Sequence, residues 1–386
     1  MLKIKNIFIL EKDQPLEKIK LLNESIENSL LLYYNADEID TLFVTINEFI
    51  DIDLKDCDIL QINLIRTPNN NFKLFYNKQN VIKLNRFLLK NKSNILVLSE
   101  LLENINHIPA IKTFFPPELY NQINFVTSNV SVTNQDIKVI YSLLLLPYCK
   151  LFLNEDIPVS TIKKDFFIPA NTVRSSKYIV LHLLKHEKLL ENNYYSYINK
   201  SSELTKDNIL QMYKNSTEIK LLEEVLENNI EKNTIGSLYI ENLYDKNRYF
   251  NLNYDKDFLQ LFNQAMIITI IEDKAYNDIK KDNFNQLSEK FFLPIIMKKP
   301  FIVFYCKNFL KDIKKFGFKS FDPFINEQYD SIEDDILRYK LAVQEMKRIS
   351  NLSKSEKQKF YNNILPICEH NFNIMSEYIR NKNFLK

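Results

Sequence analysis

Short apolar runs alternate with amphipathic stretches through the first half of the chain. Ile4 to Leu10 predicts a strand, and Leu16 to Ser29 a helix with Ile19, Leu22 and Ile26 on one face. Leu30 to Tyr34 is a further short apolar run. Ile59 to Ile65 and Ile95 to Leu98 read as buried strands, with helical spacing over Val81 to Leu89 between them. Ile123 to Thr127 and Val139 to Leu146 add two strand candidates. Strand and helix alternating at this rhythm predict a mostly parallel sheet covered by helices.

The pattern breaks at Asn154 to Lys164, a polar segment containing Pro158. It resumes with a strand at Phe166 to Pro169 and a helix from about Ser175 to Leu190, stopped at Glu191, Asn192 and Asn193. Ser201 to Asn233 is polar and helical. Met266 to Ile271 and Phe301 to Tyr305 read as strands, and Ile332 to Ile349 and Ser355 to Tyr378 as amphipathic helices. The expectation is an α/β protein with domains at 1–155 and 162–350, and a final segment, 351–386, returning as a helix toward the first domain. Ligands of such folds bind outside the carboxyl ends of the strands.

Composition removes several functions. At 386 residues and 45% hydrophobic, the chain fits two packed cores. A formal charge of +2 supplies no bulk attraction to nucleic acid or anionic lipid. Tyr and Phe form no stripe with basic residues, so no nucleic-acid partner is expected. The four cysteines, Cys57, Cys149, Cys306 and Cys368, are far apart and form no CxxC, which reads as buried thiols in a reducing compartment. The N-terminal apolar run is too short for a signal peptide. Val139 to Leu153 is interrupted by Tyr141, Pro147, Tyr148 and Lys150, so no transmembrane segment and a cytoplasmic location are expected. Only two glycines occur, Gly236 and Gly317, so GxGxxG, the P-loop and the GxSxG elbow are all absent.

Two constellations carry candidate chemistry. In Phe166 to Lys177, FFIPANTVRSSK, a strand ends, a polar turn follows and a helix begins. Arg174 and Lys177 therefore sit at or near a helix N-terminus, where free amides and the dipole favour an anion. The competing reading is a solvated basic turn. In Asn285 to Phe304, Ser288, Glu289 and Lys290 precede a short amphipathic helix, and a buried strand follows Pro300. Glu289 there suits ribose or sugar hydroxyls, and Lys290 a diphosphate. The competing reading makes Ser288 an N-cap and Glu289 a complement to the helix dipole.

Other features point less far. His182 and His186 stand four apart on one helix, but without the HExxH glutamate, and His107 and His370 are isolated. Lys298, Lys299, Lys311, Lys314 and Lys315 form a basic cluster whose default is a solvated face. Asp51-Ile52-Asp53 is a DxD by pattern, within a polar segment read as a loop. No metal site is expected.

The two constellations, in this order and near this separation, resemble the donor site of the α-1,3-fucosyltransferase-like glycosyltransferases. There, an N-x-x-x-R stretch opens a helix after a strand, and a [ST]-E-K motif follows roughly a hundred residues later. Asn171-Thr172-Val173-Arg174 and Ser288-Glu289-Lys290 match, with the first spacing one residue shorter. The chain is more similar still to a set of phage- and virus-type glycosyltransferase-like proteins with TEK-F-x-P-I, K-x-P-F-I, L-G-F-K-T-F-D and E-x-Y-D-x-I-E-D. Their counterparts here are SEK-F-F-L-P-I, Lys299 to Ile302, Phe316 to Asp322, and Glu327 to Asp334. The resemblance covers about Phe166 to Ile349. It departs at Lys177, where an arginine is usual, and at Glu272, which falls near a usual V-T-E-T. It departs again at Phe304 to Phe309, which replaces a glycine-containing N-P-G turn.

The resemblance implies a GT-B-like architecture, two Rossmann-like domains facing a cleft, with C-terminal helices. It implies a nucleoside diphosphate sugar as donor, held by Asn171, Arg174, Lys177, Ser288, Glu289 and Lys290. It implies a glycan or other hydroxyl as acceptor, and no cofactor. Inverting transfer also needs a carboxylate base in the first domain. Glu100, directly after the strand Asn94 to Leu98, is the candidate, although a helix N-terminal acid explains it equally well. The missing glycines and the thinned basic turn support an alternative, a glycosyltransferase-like binding or assembly module with little or no activity.

Overall fold

The computed structural model describes residues 2–10, 38–45, 48–54, 56–64, 78–100, 108–127, 132, 134–141, 161–170, 172–173, 175–197, 199–200, 204–233, 256–272 and 287–381. The protein is a mixed α/β chain with two parallel sheets. It divides into two compact units: residues 1–147, 284–287 and 378–386 form the first, and residues 148–283 and 288–377 the second. The predicted helix at 16–29, the apolar run at 30–34 and the linker core at 154–160 lie outside the described residues.

The first unit is built on β1 (Lys3–Leu10), β2 (Glu38–Thr45), β3 (Ile59–Leu64), β4 (Ile95–Glu100), β5 (Ile123–Thr127) and β6 (Lys138–Tyr141). These strands pair in the order β2-β1-β3-β4-β5-β6, every pair parallel. One face carries Ile7, Leu60, Ile62, Leu96, Leu98 and Phe125 into a core with Leu84 and Leu88 of α1 (Lys78–Lys90) and Ile111 of α2 (Ile108–Phe114). The other face holds a buried polar chain. Gln61 donates to Asn63 (2.8 Å), Asn63 to Asn6 (2.5 Å), and Asn6 to Thr41 (3.1 Å). A slip of one residue would turn these amides to the opposite face and strand them without partners, so the chain pins the register of β2, β1 and β3.

The second unit pairs β7 (Lys164–Pro169), β9 (Tyr194–Ser196), β11 (Ala265–Ile271) and β12 (Phe301–Phe304) in the order β12-β11-β7-β9, again all parallel. β11 reads AMIITII and is buried at every residue, as a parallel strand covered on both faces must be. Two short strands, β8 (Thr172–Val173) and β10 (Asn199–Lys200), form a separate ladder. The helices are α3 (Ser175–His186), α4 (Lys206–Met212), α5 (Ile219–Val225), α6 (Lys256–Asn263), α7 (Glu289–Ile296), α8 (Phe309–Ile313), α9 (Asp335–Ser350) and α10 (Lys354–Arg380). α10 is tied to this unit by Lys357–Asp165 (2.8 Å), Lys298–Glu369 (3.0 Å) and Asn371, which accepts from the Lys319 amide (2.7 Å). No helix among the described residues is long and apolar enough to cross a membrane.

α3 ends four residues before the predicted stop at Leu190, at His186. Lys188 turns left-handed (φ 59°), its amide reaches Lys185 O (2.9 Å) and the Leu189 amide reaches Leu184 O (2.8 Å). That is a Schellman closure with lysine where glycine is usual. α7 ends the same way at Lys298 (φ 49°), with Lys299 N on Pro294 O (2.8 Å). In a chain with two glycines, such positions fall to other residues at some conformational cost. Asn308, in the turn after β12 that lacks the expected glycine, is likewise left-handed (φ 65°).

Candidate functional site

In the second sheet the connection leaving β7 leads to β9 on one side, and the connection leaving β11 leads to β12 on the other. β7 and β11 are hydrogen-bonded neighbours, so the strand order reverses between them. Open parallel sheets form their ligand crevice at this switch point, outside the carboxyl ends of the strands. The two sequence constellations leave the sheet on either side of it. The Phe166–Lys177 segment begins within β7 and continues past its carboxyl end, and Glu272 and the start of α7 follow β11.

On the β7 side the turn is built in steps. The Ala170 amide donates to Ser196 Oγ of β9 (2.9 Å), Thr172 and Val173 pair with β10, and α3 begins at Ser175. Ser175, Ser176 and Lys177 of its first turn are all buried, and Tyr339 donates to Ser176 Oγ (3.3 Å). Lys177, 8% exposed, is thus packed into the protein and not displayed on a solvated basic turn. Asn171 and Arg174 lie outside the described residues.

On the β11 side Ser288 is the N-cap of α7, its Oγ accepting from the Lys290 amide (3.2 Å). The same hydroxyl donates to Glu272, whose other carboxylate oxygen takes Lys290 Nζ at 2.8 Å. Glu272 is 8% exposed and immediately follows β11. Glu289 is the first residue of α7, and its side chain lies outside the description. The structure therefore brings Ser288 and Lys290 together around Glu272, a partner the motif reading did not include. An acid directly after a strongly apolar strand was the available signal. Glu100 closes β4 of the first unit, its side chain also outside the description.

The remaining motif residues hold the fold. Glu327 accepts from the Phe321 amide (2.7 Å), and Tyr329 Oη accepts from the Val303 amide of β12 (3.4 Å). Asp330 accepts from the Leu310 amide at the start of α8 (3.1 Å). Asp334 caps α9 through Ile336 N (2.9 Å) and also receives Thr217 N (2.6 Å). Burial pushes Asp330 up to about 6, against the opposing pull of the Leu310 and Lys311 amides. For Asp334 burial also acts upward, but the amides of Leu337 and Thr217 and the hydroxyls of Ser216 and Thr217 outweigh it and hold the carboxyl below its usual range.

Burial raises Glu327 from 4.5 to about 7. The folded state then binds more protons than the unfolded one between those values, so Glu327 lowers stability as pH rises from 4.5 through 7. Glu327→Gln keeps an acceptor for Phe321 without the buried charge. Urea denaturation should show the variant matching wild type near pH 4 and exceeding it by roughly 1–3 kcal/mol at pH 8. A gap that does not change with pH would contradict this.

The lesser candidates resolve into packing. His182 is buried with Nδ1 3.0 Å from Val225 O, while His186 pairs with Glu187 and Glu224. His370 contacts Gly317 O (2.9 Å), and His107 lies outside the described residues. Among the described residues no group of His, Cys, Asp and Glu is arranged to hold a metal ion. The basic cluster is dispersed: Lys315 pairs with Asp312 (2.8 Å), and Lys299 is buried on Asn263 O (2.7 Å) and Ala265 O (3.0 Å). Cys57, Cys306 and Cys368 are buried thiols. Cavities occur at the amino ends of β1 and β2 (about 510 Å³, lined by Lys3, Lys5, Glu38 and Asp40) and beside the end of α3 (about 220 Å³). Neither lies at the switch point. No protein family, curated protein or solved structure matches the chain in comparison.

Proposed function

We propose that the protein is a GT-B-like glycosyltransferase that moves a sugar from a nucleoside diphosphate sugar to a glycan or other acceptor hydroxyl. One observation carries the reading: the two motif segments leave adjacent strands at the switch point of one parallel sheet. In this reading Arg174 and Lys290 offset the charge of the leaving diphosphate, helped by the first-turn amides of α3 and α7. Asn171, Lys177 and Ser288 shape the same donor site. Glu289 accepts from the ribose, and Glu100 takes the acceptor proton. Basic groups and helix dipoles do the work that a metal does in other transferases.

A second reading, a binding or assembly module on the same fold, draws on two observations. Lys177 is buried, and the Lys290 ammonium is already paired with Glu272. Thermal-shift measurements with GDP, UDP, CDP and their sugar conjugates test both. A ligand at a hundredfold excess over its Kd should raise the melting temperature by about 5–10 °C. Arg174→Ala should lose that shift while keeping its own melting temperature. Release of free nucleoside diphosphate from the best conjugate marks the enzyme, and a shift without turnover marks the module. No shift with any of them at millimolar concentration would refute the donor site.

A further inference from the structure

Glu272 stands outside the S-E-K motif, yet both of its carboxylate oxygens are engaged by that motif. The strand before it, Ala265 to Ile271, is buried throughout, and the Glu272 amide extends the ladder to Phe304 O (3.2 Å). A glutamate side chain at 11% exposure is costly unless its carboxylate oxygens are paired. Here they receive two different donors. The Ser288 hydroxyl takes Oε1, and Lys290 Nζ takes Oε2 at 2.8 Å. Ser288 Oγ in turn accepts from the Lys290 amide (3.2 Å), so strand end, helix start and lysine side chain close into one ring.

The ring does more than cap a helix. The Ser288 contacts alone satisfy the cap. The link to Lys290 fixes a long, rotamer-rich side chain whose surface is still 27% exposed, at the carboxyl end of β11. A ligand that used an unrestrained lysine would have to order it on binding. We propose that Glu272 is a positioning residue that holds Lys290 in place for the diphosphate of a nucleotide ligand. The inference rests on the nucleotide-site reading above and adds to it the residue that prepares the site.

Calorimetric titration of the full chain with GDP, UDP and CDP tests it, using wild type, Glu272→Gln, Lys290→Gln and the double variant. For a nucleotide that binds wild type, each single variant should bind about three- to tenfold more weakly. The double variant should bind no more weakly than Lys290→Gln, because Glu272 acts through Lys290. A merely structural Glu272 would show independent, multiplying losses, and that result overturns the proposal. So does unchanged or tighter binding by Glu272→Gln, the latter showing the carboxylate competing with the ligand for the ammonium. If Glu272→Gln does not fold, Glu272→Asp keeps the charge but shortens the reach. It should still weaken binding, and wild-type affinity in that variant overturns the proposal. If wild type binds none of the three nucleotides, the site reading itself fails and this inference falls with it. That outcome differs from a failure confined to Glu272.

Discussion

Arg338→Met should destabilise the second unit by about 3–5 kcal/mol, the usual cost of removing one partner from a buried charged network. Arg338 is 2% exposed and lies in the first turn of α9. Its guanidinium donates to Tyr305 O (2.8 Å), Ile332 O (2.5 Å) and Glu333 O (3.3 Å), and pairs with Asp335. Tyr305 directly follows β12, and Ile332 and Glu333 lead into α9. One side chain therefore holds the exit of the edge strand against the helix that covers it. Methionine fills much of the volume but supplies no donor, so three carbonyls and a carboxylate lose this donor together. Urea denaturation followed by circular dichroism reads the loss. A change below about 1 kcal/mol would mean that water replaces the guanidinium and that the network is not a structural tie.

Phe291→Ala should cost about 3–5 kcal/mol by a different route. Phe291 is fully buried in α7, with ring centroids 5.3 Å from Phe292, 5.6 Å from Phe301 and Phe309, and 5.2 Å from Phe318. Those partners belong to α7, β12, α8 and the loop after Gly317. Truncation empties the centre of an aromatic cluster that cannot collapse from every side at once. Because Phe291 follows Lys290, the loss should also loosen the start of α7 and weaken nucleotide binding. A stable variant with normal affinity would show that α7 is held chiefly by the Ser288–Glu272 contact.

β7, β11 and β12 of the second unit were legible because parallel strands buried on both faces are nearly continuous apolar runs: FFIP, MIITII and FIVF need no neighbours to be recognised. β2 was not, since at the edge of its sheet Glu38 to Val44 is exposed or only partly buried and mixes polar with apolar residues. β8, β9 and β10 are too short for any period to show. The end of α3 was misjudged because a left-handed lysine carries no sequence signal, whereas a glycine would have marked it. At the site, Ser288 as a helix cap followed from residue type and position. The buried setting of Lys177 did not, because burial of the first turn of α3 involves residues far away in sequence, such as Tyr339 of α9 on Ser176. Glu272 was visible as a departure from a pattern, but its pairing with Ser288 and Lys290 required the fold to bring residues 16 and 18 positions apart together.

The proposed donor site requires a nucleoside diphosphate to bind at the carboxyl ends of β7 and β11. Hydrogen–deuterium exchange of the full chain, with and without a saturating amount of whichever of GDP, UDP or CDP stabilises it most, tests this directly. Exchange should slow in peptides covering 170–180 and 287–293, the segments on the two sides of the switch point, and the effect should be smaller in Arg174→Ala. Protection confined to other segments, or none at all with a nucleotide that demonstrably binds, would contradict it.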